Sequence, residues 1–351
     1  MTKISKLFLA ILASATLLIL PSYAGEMTVT GGATASYVTN GDDESAGKNL
    51  GITNELDFTA SGELDNGMSW TYQVQLDGTS TANDDTRLEI GTDMGTIGLY
   101  VTEGGLSVET ATGAGALGVG FDYVSPTSFE TGYDVDGYSN IQYHLPGDIL
   151  PFGGTVKVGY VPNMSATTLL SKNESDSTIT TGNLGTKLQM AQVTAAPIDG
   201  LTIKMSAAQT DDQTGASGNN GTEEGVSANY GANYTMGQLS VGYTEGHYQP
   251  AVASGELTYY ENKYMGIQFD VNDALSVSYN VDESDKVVRA GVAVGASAGT
   301  TTKTSMEQKS IQLAYTTGGA TIGIAQMEVS NSDYTAGKDE AQSSITLAIA
   351  F

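Results

Sequence analysis

Most of this sequence alternates, residue by residue, between two kinds of side chain. In the final segment, Ile345, Leu347, Ile349 and Phe351 are separated by Thr346, Ala348 and Ala350. The same alternation recurs in residues 68–76, 239–244, 275–281 and 311–316. Because successive side chains of a strand point to opposite faces, the pattern predicts strands with one apolar face and one polar or small-residue face. Almost nothing after residue 24 has the period of a helix.

Short turns and long polar loops separate these strands. Seven tight turns rich in Gly, Asn, Asp or Pro lie at residues 65–67, 93–95, 146–153, 197–200, 236–237, 272–273 and 318–319. Eight longer polar stretches lie at about residues 39–53, 77–84, 104–137, 163–183, 211–223, 246–258, 283–306 and 330–340. Short turns on one side and long loops on the other, with an even number of strands, are typical of outer-membrane barrels. The sequence therefore predicts an all-β fold, a 16-stranded antiparallel transmembrane β-barrel.

The first 24 residues have the composition of a secretory signal. Lys3 and Lys6 precede a 14-residue apolar run, Leu7 to Leu20, and small residues follow at Ser22 and Ala24. A membrane anchor is the alternative, but spanning a bilayer takes about 20 apolar residues. We predict that residues 1–24 are a cleaved signal peptide and that residues 25–351 form the barrel.

Charge and composition exclude several classes of protein. The chain has 40 acidic and 14 basic residues and a formal charge of -26, so it would repel nucleic acid. It contains no Cys, which removes disulfides, thiolate catalysis and zinc-thiolate sites. Only 15% of its residues are charged and its mean hydropathy is -0.13, which fits neither a disordered chain nor a multi-helix membrane protein.

A soluble β-sandwich or solenoid would also alternate with period two. Three features favour the membrane barrel: the non-apolar face is crowded with Gly, Ala, Ser and Thr; the chain ends in an alternating strand at Phe351; and several tyrosines lie near predicted strand ends, where an interfacial girdle would need them. Those tyrosines are Tyr37, Tyr138, Tyr160, Tyr230 and Tyr260.

Three segments resemble the general porins of Gram-negative bacteria, and the alphaproteobacterial type in particular. ASGELDNGMSWTYQVQL (residues 60–76) resembles their second hairpin, DGYSNIQYHLPGDILPFGGTVKVGYVP (residues 136–162) resembles the segment after their third loop, and SSITLAIAF (residues 343–351) resembles their C-terminal assembly signal. The resemblance spans essentially the whole mature chain. It implies a trimeric diffusion channel with both termini in the periplasm and a third loop folded into the barrel to narrow the pore.

The third long connection, residues 104–137, is the longest loop, and loops of this length are usually functional or disordered. It carries enough apolar side chains to be tucked against the barrel. It and its edges also carry six carboxylates, which we predict to line the pore constriction: Glu103, Glu109, Asp122, Glu130, Asp134 and Asp136. The alternative for each is that it solvates an extracellular loop.

Further charges lie on the polar phase of the predicted strands and are candidates for the pore wall: Glu55, Asp57, Arg87, Glu89, Lys157 and Lys204, with Lys187 in the same category. The family pattern would place a cluster of bases on the first strands, facing the third loop. This sequence departs from that pattern, because acids dominate its second strand. With so many acids near the pore, we predict a preference for cations.

No catalytic, cofactor or metal-binding residue is predicted. Residues 113–118 match G-x-G-x-x-G and residues 295–299 match G-x-S-x-G, but neither has the strand-turn-helix context that those sites need. The two histidines, His144 and His247, form no recognisable triad with an acid. Residues 134–137 supply half of a calcium loop, which leaves loop-bound Ca²⁺ open.

Together these features predict a passive, water-filled channel in the bacterial outer membrane. It would contact outer-membrane lipid, assemble as a homotrimer, and pass ions and small hydrophilic solutes without enzymatic activity. Two alternatives stay open: a surface-exposed structural or adhesin barrel with a plugged lumen, and a soluble secreted β-rich binding protein or hydrolase.

Overall fold

The structure is a computed structural model that describes residues 25–41, 47–77, 85–109, 115, 129–164, 187–211, 224–251, 256–290 and 300–351. Sixteen strands close into one antiparallel barrel in which β1 pairs with β16. The strands are β1 (Glu26–Asn40), β2 (Gly47–Glu63), β3 (Ser69–Asp77), β4 (Thr86–Thr92), β5 (Gly95–Val101), β6 (Asn140–His144), β7 (Thr155–Val161), β8 (Leu188–Ile198), β9 (Leu201–Thr210), β10 (Val226–Met236), β11 (Leu239–Gln249), β12 (Glu256–Asn272), β13 (Leu275–Ala290), β14 (Thr300–Thr317), β15 (Ala320–Ser330) and β16 (Glu340–Ala350).

The remaining regular structure consists of three short 3₁₀ turns at Val135–Gly137, Pro151–Gly153 and Ser332–Tyr334. Within the ranges that the structure describes, no helix has both the length and the apolar character needed to cross a bilayer. The predicted all-β class, the sixteen strands and all seven tight turns are confirmed.

Three predicted loops are largely strand. The stretch 39–53 is shortened because β1 runs to Asn40 and β2 begins at Gly47. The stretches 246–258 and 283–306 are shortened in the same way, because β11 runs to Gln249, β12 begins at Glu256, β13 runs to Ala290 and β14 begins at Thr300. These strand ends are rich in polar residues, so their sequence resembles a loop. A cross-strand ion pair supports one of them, where the Lys303 ammonium lies 2.6 Å from the Asp285 carboxylate.

The two faces of the wall differ in polarity and in exposure. On β16, Ile345, Leu347 and Ile349 are 54%, 43% and 48% exposed, whereas the intervening Ser344 and Thr346 are buried. The concave inner face of a barrel crowds its side chains and the convex outer face spreads them apart. The apolar phase therefore faces outward and the polar phase lines the interior.

Several tyrosines lie on the outer face, where they are at least one-third exposed: Tyr37, Tyr72, Tyr160, Tyr230, Tyr243, Tyr279 and Tyr315. The girdle prediction is wrong for two others. Tyr260 is buried on the inner phase of β12, and Tyr138 lies between the third loop and β6. Alternation along a strand predicts which face a tyrosine lies on only where the strand boundaries are predicted correctly.

The first prediction compares neighbouring positions on opposite faces of β16. Leu347→Arg should lower the free energy of unfolding in lipid vesicles by about 2–4 kcal/mol, because the charge would lie in hydrocarbon. Ala348→Arg should cost much less, since Ala348 lines an interior cavity of about 610 Å³. Denaturant titration of the folded barrel would measure both. Equal losses would show that the assigned faces are wrong.

Candidate functional site

The third connection leaves the barrel wall after β5 through two left-handed residues, Thr102 (φ 49°) and Gly104 (φ 83°). Such a conformation is strained for a β-branched residue like Thr102 and marks a place where the chain is forced to turn. The structure describes two segments of this connection. We call residues 103–109 the entering arm and residues 129–137 the returning arm.

Asp134 joins the two arms. Its carboxylate accepts hydrogen bonds from the backbone N–H groups of Leu106 at 2.8 Å and Ser107 at 2.7 Å, and it caps the 3₁₀ turn through the N–H of Val135 at 2.6 Å. Bonds from backbone donors to a carboxylate are stronger than bonds between neutral groups. The middle of the entering arm is therefore fixed to the end of the returning arm.

An apolar cluster seats this junction on the inner wall. Leu106 and Val135 are both fully buried and pack with inner-face side chains of β7 to β9, namely Val161, Leu188, Met190 and Ala208. Gly159 makes room for them, because a Cβ at that position would lie 3.0 Å from the Leu106 side chain. The Gln192 side chain on β8 also donates to the Leu106 carbonyl oxygen at 2.9 Å.

A second apolar cluster holds the beginning of the returning arm farther around the barrel. Phe129 packs with inner-face side chains of β12, β14 and β15, namely Tyr264, Met306, Met327 and Val329. Its ring centroid lies 5.9 Å from that of Tyr264. The two arms together thus contact the inner face from β7 to β15.

Asparagine side chains supply the polar contacts between the arms and the wall. Asn262 on β12 donates to the Glu130 carbonyl oxygen at 2.9 Å and to the Glu109 carboxyl group. Asn229 on β10 donates to the Ser107 hydroxyl at 3.3 Å. These anchoring residues are not among the predicted site residues. Their only sequence signal is an amide at an inner-phase position of a strand, and many lumen-facing residues share it.

The six predicted constriction acids lie in different environments. Glu103 forms an ion pair with Arg87, with 2.7 Å between the carboxylate and the guanidinium. Burial raises the pKa of Glu103, while Arg87 lowers it. Glu109 is only 1% exposed, and burial raises its pKa to about 8.

The remaining constriction acids also differ from one another. Partial burial, and then the charge of Asp134, raise the pKa of Asp136 to about 6, although this residue keeps an exposed surface. Glu130 is exposed as well. Asp122 lies outside the described residues. Glu130 and Asp136 are therefore the exposed carboxylates among the five that the structure describes, and the role of the set as a constriction stays a prediction.

The predicted wall residues lie on the inner phase of their strands. The Asp57 carboxylate accepts a hydrogen bond from Gln73 at 2.8 Å, and Glu89 accepts one from the Tyr100 hydroxyl. On the wall, Lys157 lies opposite His144 and Gln192, and Lys204 lies opposite Gly231. Lys187 differs from its prediction, because it precedes β8 and is out of phase with the inward-facing Leu188.

The predicted wall acids and the predicted wall lysines lie on different strands. Glu55 and Asp57 on β2 and Glu89 on β4 contrast with Lys157 on β7 and Lys204 on β9. In a ring of sixteen strands, β2 and β9 are almost opposite. The separation is incomplete, because Arg87 lies on β4 with Glu89 and the buried Asp282 lies on β13.

Two of the sequence motifs fall largely or wholly outside the described residues, namely G-x-G-x-x-G at 113–118 and G-x-S-x-G at 295–299. Among the residues that are described, no cluster of three or more His, Asp or Glu side chains could hold a metal ion. Asp134 already uses its oxygens for backbone amides. Loop-bound calcium stays untested.

Comparison with solved structures identifies the barrel. An anion-selective porin from Comamonas acidovorans covers 93% of this chain and is itself covered completely, at 13% identity and a TM-score of 0.65. OmpF of Salmonella typhi, in complex with daunomycin, has 12% identity, a TM-score of 0.62 and coverages of 93% and 98%. The trimer form of OmpT, an outer membrane protein of Vibrio cholerae, has 11% identity, a TM-score of 0.61 and coverages of 93% and 100%.

No protein-family model matches the chain, and no curated protein matches it in sequence. At identities this low, the structural likeness shows the fold alone. The chain has the barrel fold of outer-membrane porins.

The second prediction concerns Asp134. Asp134→Ala should expose the third loop to protease in detergent micelles and destabilise the protein by about 1.5–3 kcal/mol, because the backbone N–H groups of both arms lose a charged acceptor. Asp134→Asn keeps one acceptor oxygen and should have an intermediate effect. An unchanged cleavage rate in the Ala variant would contradict the role of Asp134 in joining the arms.

Proposed function

We propose that the protein is an outer-membrane channel of the porin type that passes ions and small hydrophilic solutes by diffusion. The observation that carries the proposal is the closed barrel with an exposed apolar outer face and a polar inner face. Only a closed sheet satisfies its backbone in lipid, and an apolar exterior fits hydrocarbon. Barrels of this kind reside in the bacterial outer membrane. The Vibrio cholerae neighbour OmpT is described as an outer membrane protein.

The interior supports a water-filled path. The described arms contact the wall from β7 to β15, and a cavity of about 610 Å³ lies along β1, β2, β15 and β16. Thr34, Thr321 and Ala348 are among its small lining residues, and its carboxylates are Glu55 and Asp57. An adhesin barrel with a plugged lumen would have bulky side chains and ion pairs in this space.

Contacts between the arms and the inner wall support a third loop that folds into the barrel and narrows the pore, as the resemblance to porins implied. We also propose that the protein is a porin of the alphaproteobacterial type and that residues 1–24 are a cleaved signal peptide. The proposed activity involves no catalysis. A homotrimer is proposed from the same resemblance and from the trimer form of the Vibrio cholerae neighbour.

The charges that line the cavity favour cations. Glu55 and Asp57 line it, and none of its lining residues is Lys or Arg. Glu130 and Asp136, the exposed acids of the returning arm, add to the negative potential. Arg87 contributes less positive charge than its presence suggests, because it is paired with Glu103.

The third prediction tests channel activity and its selectivity. The native protein in planar bilayers should show stepwise conductance and a reversal potential that favours cations under a salt gradient. A unit charge about 4 Å from a passing ion is worth about 1 kcal/mol in water, roughly fivefold in partitioning. Asp57→Asn and Glu130→Gln should therefore each lower the cation preference by up to about fivefold in dilute salt, and less at 1 M.

The matched control is Asp148→Asn, which removes the same charge from an exposed tight turn outside the cavity lining. It should leave the reversal potential nearly unchanged. Absence of conductance steps would refute the channel. Anion preference, or equal effects of all three variants, would refute the assignment of the selective charges.

A further inference from the structure

Glu109 occupies a preformed site on the inner wall, between Asn229, Gly246 and Asn262, which we call the seat. Glu109 is 1% exposed, and its carboxyl group accepts hydrogen bonds from the Asn262 amide and the Tyr264 hydroxyl. Asn262 also donates to the Glu130 carbonyl oxygen at 2.9 Å. Gly246 on β11 forms the floor of the seat. A Cβ there would lie 2.6 Å from a Glu109 carboxyl oxygen and 2.5 Å from the Asn229 amide oxygen, so the wall has room for this carboxyl group only because residue 246 is glycine.

The groups that face this seat cannot neutralise a carboxylate. No described base forms an ion pair with Glu109, and residues 110–128 contain no Lys or Arg. Lys286 on β13 is the basic group of the neighbouring wall, and its ammonium lies 5.9 and 5.8 Å from the ring centroids of Tyr260 and Tyr334. The other inward-facing titratable side chains of the wall near the seat are Tyr248, Tyr260, Tyr264 and Asp282. Tyr334 lies beside them, and the returning arm carries Glu130, Tyr133, Asp134 and Asp136.

We propose that Glu109 is a proton-dependent positioning residue of the third loop, whose neutral carboxyl group holds the entering arm on the wall of β10 to β12 and whose ionised form leaves the wall for the lumen. An ionised carboxylate without a cation is costly in a dry site, and it regains hydration by moving into water. The consequence for conductance rests on the proposed channel function.

The sign of the pH dependence follows from the protons bound in each state. Burial raises the pKa of the seated Glu109 from 4.5 to about 8. Between pH 4.5 and about 8, the Glu109 carboxyl group is therefore protonated when the arm is seated and ionised when the arm is released. Seating is strongest below pH 4.5, weakens tenfold per pH unit as pH rises towards about 8, and levels off above it. Asp136, whose pKa is about 6, is half ionised at pH 6 and about nine-tenths ionised at pH 7, so it adds little change above pH 7.

Infrared spectroscopy tests the protonation state directly. The difference spectrum between the native protein and Glu109→Gln in lipid vesicles should contain the C=O stretch of a protonated carboxyl group at pH 7 and lose it by pH 9.5. Absence of that band at pH 7 would overturn the proposal. This result does not depend on whether the barrel conducts ions.

Planar-bilayer recording tests the positioning role between pH 7 and 9.5, where Asp136 is already largely ionised. In the native channel the cation preference should rise with pH, because the released carboxylate adds negative charge to the lumen. Glu109→Gln keeps the acceptor oxygen for Asn262 and should remain near the native pH 7 value throughout. Glu109→Ala lacks the hydrogen bond and should show altered conductance that does not vary over this range.

Glu130→Gln is the matched control, because it removes an exposed carboxylate from the same loop. It should lower the cation preference at every pH and retain the native pH dependence. Retention of that dependence in Glu109→Gln would overturn the positioning role. Failure of every variant to conduct, with the infrared band present, would refute the channel function and leave the protonation of Glu109 established.

Discussion

Backbone hydrogen bonding at the β1–β16 seam determines whether this chain can exist in lipid at all. The N–H of Gly31 donates to the carbonyl oxygen of Phe351 at 2.9 Å, and the N–H of Phe351 donates to the carbonyl oxygen of Gly31 at the same distance. An unpaired backbone group in hydrocarbon costs several kcal/mol, so an open edge would be prohibitive. Closure uses the backbone of Phe351, so the strand that ends in this aromatic residue has a structural role.

Closure of the barrel creates an inner wall with apolar side chains and amides that the sheet alone neither buries nor supplies with hydrogen-bond partners. Strands β7 to β15 place apolar side chains such as Leu188, Met306 and Met327 on the inner side, beside amides such as Asn229 and Asn262. The arms of the third connection cover both kinds of group. Leu106 and Phe129 pack on the apolar ones, and loop carbonyl, hydroxyl and carboxyl oxygens accept from the asparagines. The position of the third loop is therefore encoded in the wall as well as in the loop.

Local features allowed much of the barrel to be predicted. Tight turns such as Asp65-Asn66-Gly67 are set by a few adjacent residues, and strand phase is set by alternation, so both can be read from the chain. Strand ends could not be located where polar residues predominate, as at Lys303 and Asp285, because the cross-strand partner of each residue is distant in sequence. Lys187 was misassigned for a related reason, since one residue of boundary error reverses the face.

The sequence could not show whether each carboxylate is paired, buried or exposed, because that depends on contacts made on folding. Counting carboxylates treats Glu103, Glu109 and Glu130 as equal, although one is paired with Arg87, one is buried and one is exposed. The field in a narrow aqueous path depends on charges that are ionised and unpaired within about a Debye length, roughly 10 Å at 0.1 M salt. The acids of the loop therefore contribute unequally to that field. An acidic composition counts all carboxylates alike, whereas folding decides which few of them act on a passing ion.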